Sequence, residues 1–288
     1  MNKINFIFWG TPDVASETLE ILKQAGFLPS FIVTSPDAKK GRGLQMQASP
    51  VAIFAQKNNI PCLKPEKLEG GKRPNLFEFL RFDLEEPIDL FVVVAYGKIM
   101  PEKIINSPKL GSINIHYSLL PKYRGASPVE SAILNGDKVT GVTIQKMELA
   151  LDSGPIIAQE KTEISPDEKA PDLRERLIKI GGELLVKILP EYAAGKIKPA
   201  PQNGSFASVC RKIKKEDGLI NLDDDAVKNY NKFRAYAVWP RTFFFKNNKR
   251  IIITDAELVN GEFVIKKVLP EGKKEIKWQD FNLRYSVD

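Results

Sequence analysis

The sequence holds a single histidine, His116, and only two cysteines, Cys62 and Cys210, in 288 residues. With no CxxC pair and one imidazole, a Cys/His zinc site has too few ligands, so no metal is expected. Two isolated cysteines suit packing in a reducing compartment, which points to the cytoplasm. No apolar run approaches the ~18 residues of a membrane-spanning helix, so no membrane partner is expected. The opening MNKINFIFWG is too short in its apolar part, and lacks the cleavage site, for a signal peptide. It reads as a first strand. The turn after it, Trp9-Gly10-Thr11-Pro12-Asp13, is not GxGxxG, which counts against a dinucleotide enzyme. No G-x-S-x-G elbow exists, and neither cysteine lies near His116 in sequence. The chain therefore offers no candidate covalent nucleophile.

Apolar residues make up 43% of the chain, enough for a packed core and too many for disorder. The length suits two domains. Net charge is +7 and unevenly spread: residues 206–288 hold 17 Lys/Arg against 12 Asp/Glu, so +5 sits in that shorter piece. Between Tyr192 and Lys215 stand Lys196, Lys198, Arg211, Lys212, Lys214 and Lys215, with no acidic residue. That stretch fits either a solvated linker or a polyanion contact.

Ile4–Trp9 reads as a buried strand, and Thr11 and Pro12 suit the cap and first position of a helix ended by Gly26. Phe31–Thr34 is a second strand, giving βαβ and a doubly wound sheet. Thr34–Ser49 is a polar insertion around Gly41-Arg42-Gly43, expected as a loop, mobile if it serves a substrate. Helices are expected at Pro50–Asn58, Asn75–Arg81, Ala126–Leu134 and Asp172–Leu189. Asp89–Tyr96 is a continuous β-branched and aromatic run, a central parallel strand, and Gly97 after it can bring backbone close to a ligand. Gly141–Leu149 and Pro155–Glu160 read as an edge hairpin. The Gly/Pro-rich segment 194–205 reads as a linker. Past it come a helix near Ala226–Tyr236 and strands joined at Asn247-Asn248 and Asn260-Gly261, hairpin chemistry that fits a small β-barrel.

The chemistry concentrates in Ser112–Gly125. Alternation along its strand puts Ile113 and Ile115 on one face and Asn114 and His116 on the other. An amide and an imidazole then share the carboxyl end of a strand, where open α/β sheets bind ligands. Asp152, in the turn Leu151-Asp152-Ser153-Gly154, could reach the imidazole. Amide, imidazole and acid suit acyl transfer to an amine: donors hold the developing oxyanion and the His–Asp pair passes on the amine's proton. By spacing alone, His116 fits a structural residue as well, and Asp152 a turn residue bonded to its own backbone.

These residues resemble the methionyl-tRNA formyltransferase family, within the wider 10-formyltetrahydrofolate-dependent formyltransferases. The motif N-x-H-x-S-L-L-P-x-x-R-G runs from Asn114 to Gly125, x-G-V-T-I from Thr140 to Ile144, and L-D-x-G from Leu151 to Gly154. WGTPD at Trp9–Asp13, G-R-G at Gly41–Gly43, V-V-V-A-Y-G at Val92–Gly97 and Trp239-Pro240 extend the likeness over almost the whole chain. The resemblance implies an α/β, Rossmann-like formyltransferase domain over 1–193 with a mostly parallel twisted sheet, a linker over 194–205, and an OB-like β-barrel domain over 206–288 that contacts tRNA backbone. It implies Asn114, His116 and Asp152 as the catalytic trio, with 10-formyltetrahydrofolate as formyl donor. Ser118, Leu119, Leu120 and Pro121 would line the folate site beside Tyr96 and Gly97. Lys39, Lys40 and Arg42 would lean on the acceptor end of initiator methionyl-tRNA. A monomer is expected. Lys122 and Tyr117 depart from the residues usual at their positions, and the second domain looks shorter than in typical relatives, which bears on its tRNA footprint. A small amine acceptor, such as an amino-sugar nucleotide or glycinamide ribonucleotide, is the alternative for the same chemistry; a tRNA-binding protein without catalysis is a third reading.

Overall fold

The computed structural model describes residues 4–40, 43–68 and 87–285. Two compact units are present. The first comprises residues 1–124, 141–161 and 177–207; the second comprises 125–140, 162–176 and 208–288.

The first unit is built on a sheet whose strands are β1 (Phe6–Gly10), β2 (Phe31–Val33), β5 (Cys62–Leu63), β6 (Leu90–Val94), β7 (Ser112–His116), β9 (Val139–Lys146) and β10 (Ile156–Glu163). Their spatial order is β10-β9-β7-β6-β1-β2-β5. From β5 to β7 every pairing is parallel, and β9 then runs antiparallel to β7. β1 and β6 are wholly buried, as their unbroken apolar sequences demand for strands covered on both faces. Helix Asp13–Gln24 covers the sheet with Ala15, Leu19 and Leu22. The connection from β1 goes to β2 on one side, while β6 leads to β7 on the other. The junction of β1 and β6 is thus a topological switch point, where the strand ends part and a crevice forms.

Thr11 does not cap the first helix as expected. Pro12 occupies the cap position with no side-chain hydrogen bond. The Thr11 hydroxyl instead donates to the Tyr96 carbonyl at 3.1 Å and pairs with the Ser35 hydroxyl at 3.0 Å. The hydroxyl thus joins the chain ends leaving β1, β2 and β6, and this use of its hydrogen-bonding capacity outcompetes a local cap. The polar insertion is also more ordered than a loop: β3 (Ala38–Lys40) and β4 (Gln45–Gln47) form an antiparallel hairpin. The expected helix Asn75–Arg81 lies outside the described residues. The closing helix spans Ala170–Ala193 and contains Pro190. Residues 194–205 are not slack chain, since Ala200 and Ile156 exchange both backbone hydrogen bonds, at 2.7 and 2.8 Å. A short strand, β8 (Arg124–Gly125), follows the loop after β7. No helix among the described residues is long and apolar enough to cross a membrane.

The second unit contains β11 (Val209–Cys210), helix Ala226–Ala235 and a four-stranded antiparallel sheet in the order β12 (Phe243–Lys246), β13 (Lys249–Val259), β14 (Glu262–Pro270), β15 (Ile276–Lys277). Both hairpin turns carry positive φ at their central residues, Asn247 and Asn248 in one and Asn260 and Gly261 in the other. That is the conformation whose twist matches paired strands. Asp225 caps the helix, accepting from the Lys228 amide at 2.8 Å. Phe281, fully buried on the last helix, stacks on Trp278 and meets Phe244 edge-on. Phe281→Ala is expected to cost about 3–5 kcal/mol of stability, read as a lowered midpoint in chemical denaturation of the full chain.

Candidate active site

β7 delivers the amide and the imidazole to one face, as alternation requires. Ile113 and Ile115 point into the core. Asn114 lies in register between Val93 of β6 and Gln145 of β9, and its amide donates to the Val93 carbonyl at 3.1 Å. An amide nitrogen carries two hydrogens, so the second N–H remains for a ligand. His116 is buried. Its Nε2 lies 2.8 Å from the Tyr123 carbonyl. A carbonyl only accepts, so Nε2 carries a proton, and Nδ1 is the ring nitrogen turned away from that bond. Asp152 Oδ2 stands 3.6 Å from that Nδ1, with the two side chains 7% and 12% exposed. The separation is an ion-pair distance rather than a hydrogen bond. The other carboxylate oxygen, Oδ1, accepts from Gln145 Nε2 at 3.0 Å.

The Ser118–Pro121 loop is fastened to the sheet. Thr143, opposite His116 on β9, donates to the Ser118 carbonyl at 2.7 Å and accepts from the Leu120 amide at 3.0 Å. Gln159 donates to the Leu120 carbonyl at 2.9 Å. The Ser118 hydroxyl donates to the Lys122 carbonyl, 2.6 Å away, and the side chain is fully buried. Leu120 is buried and Leu119 and Pro121 are partly so. Tyr96 packs edge-on against Trp9 in the core. Its hydroxyl is buried without a hydrogen-bond partner among the described residues, and burial pushes its phenol well above the ordinary value. Gly97, at positive φ, is exposed with open space around it. Ala95, Tyr123 and Asp152 also have positive φ, an uncommon state for residues with a Cβ and one that gathers at functional sites. Lys39 and Lys40 lie on β3, Lys39 exposed; Arg42 falls outside the described residues.

So Asn114, His116 and Asp152 meet at the crevice end of β7. The folate candidates divide between the pinned loop and the switch-point strand, and Lys39 and Lys40 belong to the hairpin. Neither thiol has the setting of a nucleophile: Cys210 is buried, and burial pushes the Cys62 thiol up. Two side chains that support the Asp152 turn went unnoticed in the sequence: Gln145, and Gln202, whose amide donates to the Asp152 carbonyl at 2.9 Å. Gln145 shared the x-G-V-T-I strand without being singled out. Gln202 sat in a segment read only by its Gly and Pro content.

The formyl transferase family pattern matches residues 2–189, and that of the formyl transferase C-terminal domain matches residues 212–264. The chain belongs to the formyl transferase family. Among its relatives is a methionyl-tRNA formyltransferase of Dictyoglomus turgidum, 37% identical over 99% of this chain and 98% of that protein. The methionyl-tRNA formyltransferase of Chloroflexus aurantiacus is 40% identical over 90% of this chain and 82% of its own length. Among solved formyltransferase structures, an N-formyltransferase from Helicobacter canadensis in complex with folinic acid and dTDP-3-aminofucose superimposes with a TM-score of 0.66. It is 23% identical and covers 89% of this chain and 88% of that one, a likeness that speaks for the fold alone.

Proposed function

We propose that this formyltransferase moves a formyl group from 10-formyltetrahydrofolate to the α-amine of methionine on initiator tRNA, giving N-formylmethionyl-tRNA for translation initiation in the cytoplasm. The observation that carries the reading is the Nδ1 face of His116, held toward Asp152 at 3.6 Å beside the unengaged N–H of Asn114. That donor set fits an acyl donor, whose formyl oxygen becomes negatively charged as an amine adds to the carbon. Near-complete coverage by relatives named methionyl-tRNA formyltransferase supports the acceptor.

In this reading the Tyr123 carbonyl fixes His116 with its proton on Nε2. Nδ1 takes the proton from the attacking amine, and the Asp152 carboxylate stabilises the imidazolium that results. Asn114 donates its second N–H to the oxyanion. The same Nδ1 proton then passes to the departing nitrogen as the new amide forms, so the ring ends as it began. Of the two roles that the residue types leave to His116, oxyanion donor and proton carrier, this reading gives it proton transfer. Ser118 shapes the folate side of the crevice through its loop, since its hydroxyl is already engaged, while Leu119, Leu120, Pro121, Tyr96 and Gly97 supply apolar walls and open backbone.

Residues 1–193 form the catalytic piece in this reading, and 206–288 the piece that follows tRNA backbone, with 194–205 between them. Lys39, Lys40 and Arg42 attend the acceptor end. Exposed Lys212, Lys214 and Lys215 add positive charge to the second unit, whereas Arg211 is paired with Asp217. Phosphate contacts release counterions, so the KM for Met-tRNA is expected to climb steeply and log-linearly with salt. A flat salt response in a formylation assay, or turnover of a free amino-sugar nucleotide at a comparable rate, would move the acceptor to a small amine.

A further inference from the structure

Behind Asp152 lies a row of side chains with no role in the chemistry above. Gln145, 2% exposed, sits opposite Asn114 across the β7–β9 ladder, so its side chain shares that face of the sheet. Its Nε2 donates to Asp152 Oδ1 at 3.0 Å. Its Oε1 faces Gln202 Nε2 at 3.3 Å. The same Gln202 nitrogen donates to the Asp152 carbonyl at 2.9 Å and the Gly154 carbonyl at 2.8 Å. Gln202 Oε1 accepts from Arg124, Nε at 3.1 Å and Nη2 at 2.7 Å.

The ends of this row fix its direction. A guanidinium only donates and a carboxylate only accepts. Gln202 must therefore turn its oxygen to Arg124 and its nitrogen to the turn. Gln145 must then turn its oxygen to Gln202 and its nitrogen to Asp152. Neither amide can flip without leaving two donors or two acceptors face to face. With Oδ1 engaged by Gln145, the oxygen that faces the imidazole is Oδ2. With the carbonyls of residues 152 and 154 engaged by Gln202, the turn is gripped at its left-handed Asp152, at φ +50°, and again two residues on.

We propose that Gln145 and Gln202 are positioning residues for the Asp152 carboxylate, oriented in turn by Arg124. The proposal rests on the role given to Asp152 above. It makes residues 194–205 part of the active-site support, since Gln202 belongs to that segment.

The test is a kinetic cycle on the full chain, with 10-formyltetrahydrofolate and Met-tRNA. Gln145→Leu and Gln202→Ala are expected to lower kcat roughly tenfold to a hundredfold, the scale of a small misplacement of a reacting group. KM for either substrate is expected to stay within about threefold, because the amides touch neither. Gln145→Glu sets a second carboxylate against Asp152 and is expected to lower kcat further than Gln145→Leu. In an Asp152→Ala background, each change is expected to cost less than about twofold, since the group being positioned is gone. Equal losses in both backgrounds, or single variants at wild-type kcat, would overturn the proposal. Should Gln202→Ala fail to fold, Gln145→Leu and its cycle decide alone. A wild type without turnover removes the functional reading and this proposal together; an active wild type with undiminished variants removes the proposal alone.

Discussion

His116→Ala is expected to lower kcat for formylation of Met-tRNA by roughly 10²- to 10⁴-fold, the usual worth of a placed acid–base group. No second imidazole exists in the chain to take over. Asp152 keeps its hydrogen bond from Gln145 in the variant, so the carboxylate has no cause to leave the site. KM for the two substrates is expected to change little, because the ring acts on a proton that moves only during reaction. Steady-state kinetics, with far-UV circular dichroism as a check on folding, reads the outcome. A kcat within a few-fold of wild type would remove His116 from the chemistry and leave it as a strap for the Tyr123 carbonyl.

The second large effect is expected at Gly154, two residues past the carboxylate. It is buried, and a Cβ there would fall onto the Lys146 carbonyl, far inside van der Waals contact. The obstacle is backbone, which cannot swing aside as a long side chain can. Lys146 also belongs to β9, and its amide donates to the Pro155 carbonyl at 2.9 Å. Gly154→Ala must therefore push the Asp152 turn off the sheet. About 1–3 kcal/mol of stability is expected to go, the usual range for overpacking, together with roughly 10²-fold in kcat as Asp152 leaves its place beside His116. Thermal melting and kinetics on the same preparation separate the two. Ser153→Ala is the control: its hydroxyl makes a surface bond to the Ala150 carbonyl and its loss touches neither neighbour. Should Gly154→Ala match that control in both measurements, the close approach of turn and strand would have no bearing on catalysis.

Much of the first unit could be read from local signals. Continuous apolar runs at β1 and β6 announced buried parallel strands, and strict alternation in β7 separated Asn114 and His116 from the two isoleucines. Both Asn-containing hairpin turns of the second unit were legible for the same reason: their chemistry is contained in two residues. What escaped was non-local. The hairpin at residues 38–47 pairs polar strands, so no apolar alternation marks it. Thr11 looked like a cap because the unpaired N–H groups of a helix's first turn follow it directly in sequence; its actual partners, Ser35 and Tyr96, arrive from elsewhere in the chain. Gln145 and Gln202 are separated by the whole closing helix, and an amide becomes meaningful only when an acceptor stands opposite it.

The close fit of Ala200 and Gln202 has a practical side. The family's first pattern ends at residue 189, while the first compact unit continues to residue 207. A fragment cut at the earlier point would strip Ile156 of its edge partner and leave two carbonyls of the Asp152 turn to water. Anyone building chimeras by exchanging the second halves of relatives should place the join after Ala207, or the borrowed half will bring a stranger's latch to the catalytic door.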